Sequence, residues 1–449
     1  MKIRTGVLLA CLVSSPALAQ VDQVITPPQN LVLSNYNSVP VGPYGGLEGS
    51  AFSARVDDPS AAWFNPAGLA RQEAAQISGS AGVYQLTSVS PSSLPNQGGS
   101  IQQLPNYVGF TFSPRTGLTI GAALVSTNAW NQETDSELFS TVPTGQQRFA
   151  YSADSEFDQR VAAISAGYYG GGRWRFGGGF AFSLMDLRLV QSVSDRIASA
   201  SGLQSVMVSS RASGSALQLR GQAGAQYDLS GWRFGGAIRT PGLNLMHSAS
   251  VTIDGALDAG KSGLGSSLFD ADAKMEYHLP WEFQGGAAFV GNRFEIEIDV
   301  QAFTSISGYS MISTTNPVLV YTDAGTGIAP SVTSRPFGGM NTASDGVVNV
   351  GAGGHVRLVE SRKLLLHGGV GSNRSPVGAG DNVFNKMNLT TWSIGLSGTF
   401  GKFQFAAGLN RQGGRADDVM LRNLLSGDVI TSAIDVHTTG LIYSLAYQF

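Results

Sequence analysis

Cysteine is almost missing from this chain of 449 residues: Cys11 is the only one, and it lies in a stretch that reads as removable. The rest has no disulfide and no thiol chemistry. Charge is scarce too, since Asp, Glu, Lys and Arg make up 13% of the residues, about half the usual quarter. Long apolar runs would normally explain so little charge, yet past residue 19 nothing approaches the ~18 apolar residues of a spanning helix. A basic excess is lacking as well. Without Lys2 and Arg4, 26 Lys and Arg stand against 31 Asp and Glu, a net charge of −5, so the footprint of a nucleic-acid binder is absent. Disulfide scaffold, helical membrane protein and nucleic-acid binder are thereby set aside.

Glycine is what the chain has in excess: 58 residues, roughly double the usual ~7%. Low charge without a spanning helix leaves the closed barrel as the way to cross a bilayer, its strands alternating lipid-facing and lumen-facing residues. The ends agree. Lys2 and Arg4, the apolar "GVLLACLV" and the small-x-small Ala17-Leu18-Ala19 form a secretory signal peptide cleaved after Ala19. The short apolar run and Leu9 argue against lipidation at Cys11. At the other end, Tyr443, Leu445, Tyr447 and Phe449 share one face of a strand, with Ser444, Ala446 and Gln448 opposite. That pattern resembles the C-terminal assembly signal of bacterial outer-membrane barrels.

A turn grammar recurs between these ends. "GGRWRFGGGF", "SGWRFGGAI", "GNRFEIEI" and "GKFQFAAGL" each put a glycine turn before an aromatic and a period-2 strand, and Pro114–Gly117 and Glu360–Lys363 are two further tight turns. Six periplasmic turns predict fourteen strands, over 75–90, 105–113, 117–130, 147–170, 173–194, 209–229, 232–254, 271–290, 293–313, 338–360, 363–375, 389–400, 403–413 and 430–449. The polar connections "SPSSLPNQGGS", "TDAGTGIAPSVTSRPFGG" and "GRADDVMLRNLLSGDV" read as outer loops. Alternation predicts that Trp174, Trp232, Phe294 and Phe403 face lipid, with Ile296 and Ile298 beside Phe294, while Glu295, Glu297 and Asp299 face the lumen.

One stretch breaks the strand pattern. In "DDPSAAWFNPAGLARQ", Asp58-Pro59 and Asn65-Pro66 each put an Asx side chain before a proline, an N-cap followed by a residue tolerated at the first helical position. Gly68 weakens the second turn. The longer segment "GLEGSAFSARVDDPSAAWFNPAGLARQEAAQIS" (46–78) resembles the N-terminal hatch of the outer-membrane long-chain fatty acid transporter family (FadL/TodX type). "RTPGLNLMHSASVTIDG", "HLPWEFQGGAAFVGNRFEIEIDVQAF" and "HGGVGSNRSPVGAGDNVFNKMNLTTWSIGLSGTFGKFQFAAGL" resemble that family's barrel segments in the same order, whereas the loops around 90–105 and 305–340 match none of its pattern.

The resemblance implies an all-β fold: a 14-stranded antiparallel transmembrane β-barrel with a short helical hatch in the lumen. Residues 1–19 would be the signal peptide, 20–74 the hatch and 75–449 the barrel, with Asp57, Asp58, Asn65, Pro66, Ala67 and Gly68 as hatch residues. The implied function is uptake of hydrophobic compounds across the bacterial outer membrane, with lateral release through the wall. Partners are then a hydrophobic small-molecule ligand, outer-membrane lipid and lipopolysaccharide, with no nucleic acid, and the chain acts as a monomer. Arg233 and Arg239 alternate with outward Phe234 and Ile238, so both are candidates for a ligand carboxylate, and Pro241 removes a ladder donor beside Arg239. Either arginine could instead pair with an acid on a neighbouring strand.

Enzyme chemistry finds no footing. His247, His278, His355, His367 and His437 are scattered with no metal-binding spacing, and there is no G-x-S-x-G elbow. No cofactor, metal or catalytic residue is expected. The rival reading is a porin for small polar solutes, which the inward Glu295, Glu297 and Asp299 favour and the hatch-like segment opposes.

Overall fold

The computed structural model describes residues 32–449 apart from 73, 92–96, 143–144, 200–201, 259–262, 324–328, 360–362, 382 and 423–428. The expected signal peptide and residues 20–31 lie outside the described residues. A four-residue helix, α1 (Ala61–Phe64), and a 3-10 turn (Pro66–Arg71) precede the sheet. β1 (Gln76–Pro91), β2 (Gln97–Arg115), β3 (Leu118–Val142), β4 (Gly145–Tyr168), β5 (Trp174–Ser199) and β6 (Gly202–Leu229) are continuous wall strands. The next wall strands are interrupted: β7 (Trp232–Arg239) with β8 (Leu243–Asp258), β9 (Gly263–Met275) with β10 (Glu282–Val290), and β11 (Phe294–Phe303) with β12 (Ile306–Ser313). β13 (Val318–Asp323) and β14 (Ser331–Arg335) form an outer hairpin, and β15 (Met340–Ser344) with β16 (Val347–Val359) makes the tenth wall strand. β17 (Leu364–Asn373), β18 (Leu389–Phe400), β19 (Phe403–Arg422) and β20 (Val429–Gln448) complete the set.

Every pairing is antiparallel, and β20 returns to β1 with Gln448 opposite Gln76, so the wall closes at fourteen strands. Closure leaves no open edge in the hydrocarbon. No described helix is long and apolar enough to cross a membrane. Five of the six expected short turns fall where the turn grammar placed them, and residues 360–362 of the sixth lie outside the described residues; in one, Ser230 and Gly231 take φ of 36° and 87°, the left-handed geometry of a two-residue hairpin turn.

Face assignment follows the alternation. Trp174, Trp232, Phe294, Phe403, Ile296 and Ile298 all point outward, in a belt shared with Phe176, Phe180 and Leu445. Strand lengths differ from expectation in two respects. The spans 232–254, 271–290, 293–313 and 338–360, expected as continuous strands, are interrupted after Arg239, Met275, Phe303 and Ser344, and other strands run past their expected ends. Chain expected as loops after residues 130 and 194 continues as strand, through Val142 in β3 and Ser199 in β5. The third expected loop also begins as strand, since β19 runs to Arg422, and part of the second forms β14. Hydrophobic alternation stops at the lipid boundary, but backbone ladders do not.

Residues 32–72 lie inside the barrel and are mostly buried. At the short-turn end, Phe52, Val56, Trp63, Phe64 and Leu69 pack against Tyr107, Val125, Val161 and Ala181 of the wall. Toward the long-hairpin end, Val32 and Leu33 join a second and larger apolar cluster. The segment therefore threads the lumen lengthwise.

Candidate functional site

Inward-facing glycines make the seat for this segment. A Cβ at Gly177 would stand 2.5 Å from the Ala67 nitrogen, one at Gly235 2.6 Å from the Ala54 Cα, and one at Gly369 2.7 Å from the Glu48 Cα. Real Cβ atoms essentially never come within 3.0 Å, so only glycine admits the segment's backbone there. Much of the glycine excess in the wall has this use. Gly68 is the same case on the segment itself, because a Cβ there would run into the Val56 carbonyl. Its place in the turn thus reflects close approach, where the sequence had indicated only weakening.

The two Asx-Pro pairs behave differently. Asn65 caps the 3-10 turn as expected: its Oδ1 accepts from Ala67 N–H at 3.1 Å, with Pro66 following. Its amide also donates to the carbonyls of Ser53 (3.0 Å) and Ala225 (3.1 Å), tying the turn to β6. Asp58 acts one step before α1. Its Oδ1 accepts from Ser60 N–H at 2.7 Å and from the Ser60 hydroxyl, while Ser60, not Asp58 as expected, occupies the cap position and makes no side-chain capping bond to the helix. Pro66, Ala67 and Asp58 are buried, and Asp57 is exposed. Burial pushes the Asp58 carboxyl up to about 7, Asp57 adding to the rise and the Ser60 hydrogen bonds opposing it.

Inward charges hold the segment to the wall. Arg55 donates Nε to Glu297 Oε2 at 2.8 Å and Nη2 to Glu48, all three side chains being fully buried. Glu297 Oε1 accepts from Ala54 N–H (2.6 Å), and Asp299 Oδ2 accepts from the N–H groups of Phe52 (3.1 Å) and Ser53 (3.0 Å). The inward acids of β11 thus bind the segment, not the water of a hydrated pore. Glu48 Oε1 in turn meets His367 Nδ1 at 2.6 Å and His355 Nδ1 at 3.0 Å.

Arg239 and Arg233 both point inward. Arg239 pairs with Glu282, donates to the carbonyl of Trp63 and stacks its guanidinium 3.9 Å above the Trp63 ring. The acid on a neighbouring strand is therefore its partner here. Arg233 sits at the short-turn end, 3.7 Å from Asp228, which also binds Arg71 at 2.6 Å. The role of Arg55 was not read from sequence, although a signal existed. Glu295, Glu297 and Asp299 need a cation, and Arg55 is the sole basic residue between positions 20 and 70.

Above the segment the lumen is apolar. Trp130, Phe157, Leu187, Val251, Leu268 and Ile434 line it, and Phe384 and Met387 reach in from the connection between β17 and β18. Five of the nine methionines, Met185, Met275, Met311, Met340 and Met387, are buried there. Thioether side chains adapt to varied apolar shapes. Between segment and wall, a cavity of about 80 Å³ with a mixed lining touches Tyr36, Trp63, Arg239 and Asp299.

Beside this chamber the ladder is broken. β7 pairs with β10 as far as Arg239↔Glu282, and β8 resumes with β9 only at Ala249↔Ala273. Among the described residues, one backbone hydrogen bond spans the interval, from Gly242 N–H to Leu279 O at 3.3 Å. Pro241 lies in the interruption, as its missing donor predicts. Backbone groups freed in a membrane need other partners, and β6 supplies them. Arg220 donates Nε to Thr240 O (2.7 Å) and Nη2 to Pro280 O (2.9 Å), and Gln218 donates to Tyr277 O. Buried Met275, Tyr277 and Leu279 seal the break from within.

By sequence, no family model and no curated protein matches this chain. By structure, it is similar to a Pseudomonas aeruginosa FadL homologue with a TM-score of 0.59 at 12% identity, covering 93% of this chain and 100% of that one. It is similar to the Pseudomonas putida toluene transporter TodX with a TM-score of 0.56 at 12% identity, covering 93% and 100%. The Ralstonia pickettii toluene transporter TbuX gives 0.52 at 14% identity, covering 91% and 98%. The fold is the one that the motif islands indicated.

Proposed function

We propose that this chain is an outer-membrane channel for uptake of hydrophobic compounds, with the N-terminal segment as its plug. The observation that carries this reading is the buried, methionine-rich apolar cluster that packs the lumen above the segment. A lumen of that character favours apolar cargo and disfavours a hydrated pore. The likeness to solved hydrophobic-compound transporters supports the same class.

Cargo enters from the long-hairpin end, rests among the methionines and leaves sideways through the interval 240–248/274–281. That route is favoured because Met275, Tyr277 and Leu279 are side chains, and side chains move aside more cheaply than a hydrogen-bonded ladder. Arg239 serves a ligand carboxylate only after letting go of Glu282 and Trp63, so head-group binding and plug movement are coupled. Arg233 is the second candidate at the plug's exit. Deleting residues 46–72 tests the plug in planar bilayers: raised conductance of a folded barrel is expected, and unchanged conductance refutes it. Uptake of a hydrophobic tracer into liposomes beside sugar-driven swelling tests the cargo. Swelling without tracer uptake would overturn it in favour of a porin.

A further inference from the structure

Glu48, His355 and His367 come from the plug segment, β16 and β17. His355 and His367 face each other directly across the β16–β17 ladder, both inward. The Glu48 oxygen and the ring nitrogens all lie within 4.8 Å of one another. We propose that these three side chains form a binding site for one divalent transition ion of the Zn²⁺ class.

Three features support a built site. First, the ligands are poised. Glu48 Oε1 lies 2.6 Å from His367 Nδ1 and 3.0 Å from His355 Nδ1, so one position between them faces all three ligand atoms. Second, His367 is oriented from behind, its Nε2 lying 2.7 Å from Ser397 Oγ. A ring that aims Nδ1 at an ion while its other nitrogen donates to an oxygen is the usual arrangement of a metal-bound histidine. Third, the charge is unbalanced. Glu48, Glu295 and Glu297 surround one guanidinium, Arg55, which bonds Glu48 and Glu297 and lies 3.7 Å from Glu295. A dication reduces that excess.

Two imidazoles and one carboxylate suit Zn²⁺ or Ni²⁺ better than Mg²⁺ or Ca²⁺, which require oxygen. Three protein ligands leave a fourth position for water, and half-buried His355 opens that side to solvent. On binding, the ion replaces the hydrogen bonds from both Nδ1 atoms to Glu48, and each ring coordinates through an Nδ1 without a proton, any displaced proton passing to Nε2 or to solvent. The ion joins Glu48 of the segment to two wall strands, so on the plug reading it locks the plug. Binding itself does not depend on that reading.

The test is titration of the chelator-stripped, detergent-solubilised full-length barrel with Co²⁺, followed by its visible absorption, and by competition with Zn²⁺. One equivalent is expected to bind saturably. His355→Ala and His367→Ala should weaken affinity at least a hundredfold, and Ser397→Ala about ten- to a hundredfold. If His367→Ala fails to fold by heat-modified gel mobility, His355→Ala decides, since its side chain is partly exposed (17%) and bonds Glu48 alone among the described groups. No saturable uptake by the wild type, or equal uptake by folded His355→Ala, overturns the site.

Discussion

Adding one methyl group to the inward face of the wall should unseat the plug without unfolding the barrel. Gly177→Ala and Gly235→Ala place Cβ atoms 2.5 Å from Ala67 N and 2.6 Å from Ala54 Cα. The obstructing atoms are backbone, so no rotamer change relieves the overlap. Overpacking of this kind costs about 1–3 kcal/mol per site, and the two positions on β5 and β7 meet different parts of the segment. The pair should therefore shift the seated-to-displaced balance by about 2–6 kcal/mol, where 1.4 kcal/mol is about tenfold. Neighbouring residues provide the control. Gly178 and Gly236 face outward, and their Cβ atoms would meet only Gln222 O at 3.4 Å and Gln284 O at 3.6 Å. Alanine there loses less chain entropy on folding than glycine and should be neutral or stabilise slightly. The assay is conductance in planar bilayers, with gel mobility confirming that each barrel is folded. The inward pair should leak and the outward pair should match wild type. Equal conductance of the two pairs would refute the seating argument.

Other consequences are equally open to measurement. Ile298→Arg, on the lipid face two residues beyond Ile296, should cost about 2–4 kcal/mol in urea unfolding; Glu295→Gln on the lumen face should cost far less, and equal losses would reverse the face assignment. Arg239→Ala leaves buried Glu282 with Arg220 at 3.5 Å as its remaining cation, so the loss should fall below the roughly 3–5 kcal/mol of a fully orphaned buried charge. It should expose Trp63 to quencher, and Arg239→Lys should not restore protection because a point charge lacks the planar fork. For Asp58 the neutral form is favoured when seated, with a carboxyl near 7 against an ordinary value of 3.8. Its contribution to seating is therefore complete below about pH 4 and is lost as pH rises through about 7. Hydrogen exchange of residues 57–64, corrected for its intrinsic pH dependence, should quicken between about pH 4 and 7 in wild type, and Asp58→Asn should flatten that rise; an unchanged slope in the variant would exclude Asp58 as its source.

Side-chain alternation and turn chemistry are local properties, and everything that depends on them was legible in the sequence. The outward run Phe294, Ile296, Ile298 and Val300, the five described turns and the strand that pairs Gln448 with Gln76 follow from a period of two and from residues that accept positive φ. So does the cap of Asn65 on Ala67, a contact two residues long. The tertiary structure decided what the inward residues touch. Glu48 meets His355 and His367 across separations of 307 and 319 residues, and Gly177 accommodates Pro66 and Ala67 from another part of the chain. Arg239, a ligand candidate by sequence, also clamps Glu282 and Trp63. No periodicity encodes such meetings. They depend on the stagger of fourteen paired strands and on the path that one segment takes through the space they enclose, and both exist only once the wall has closed.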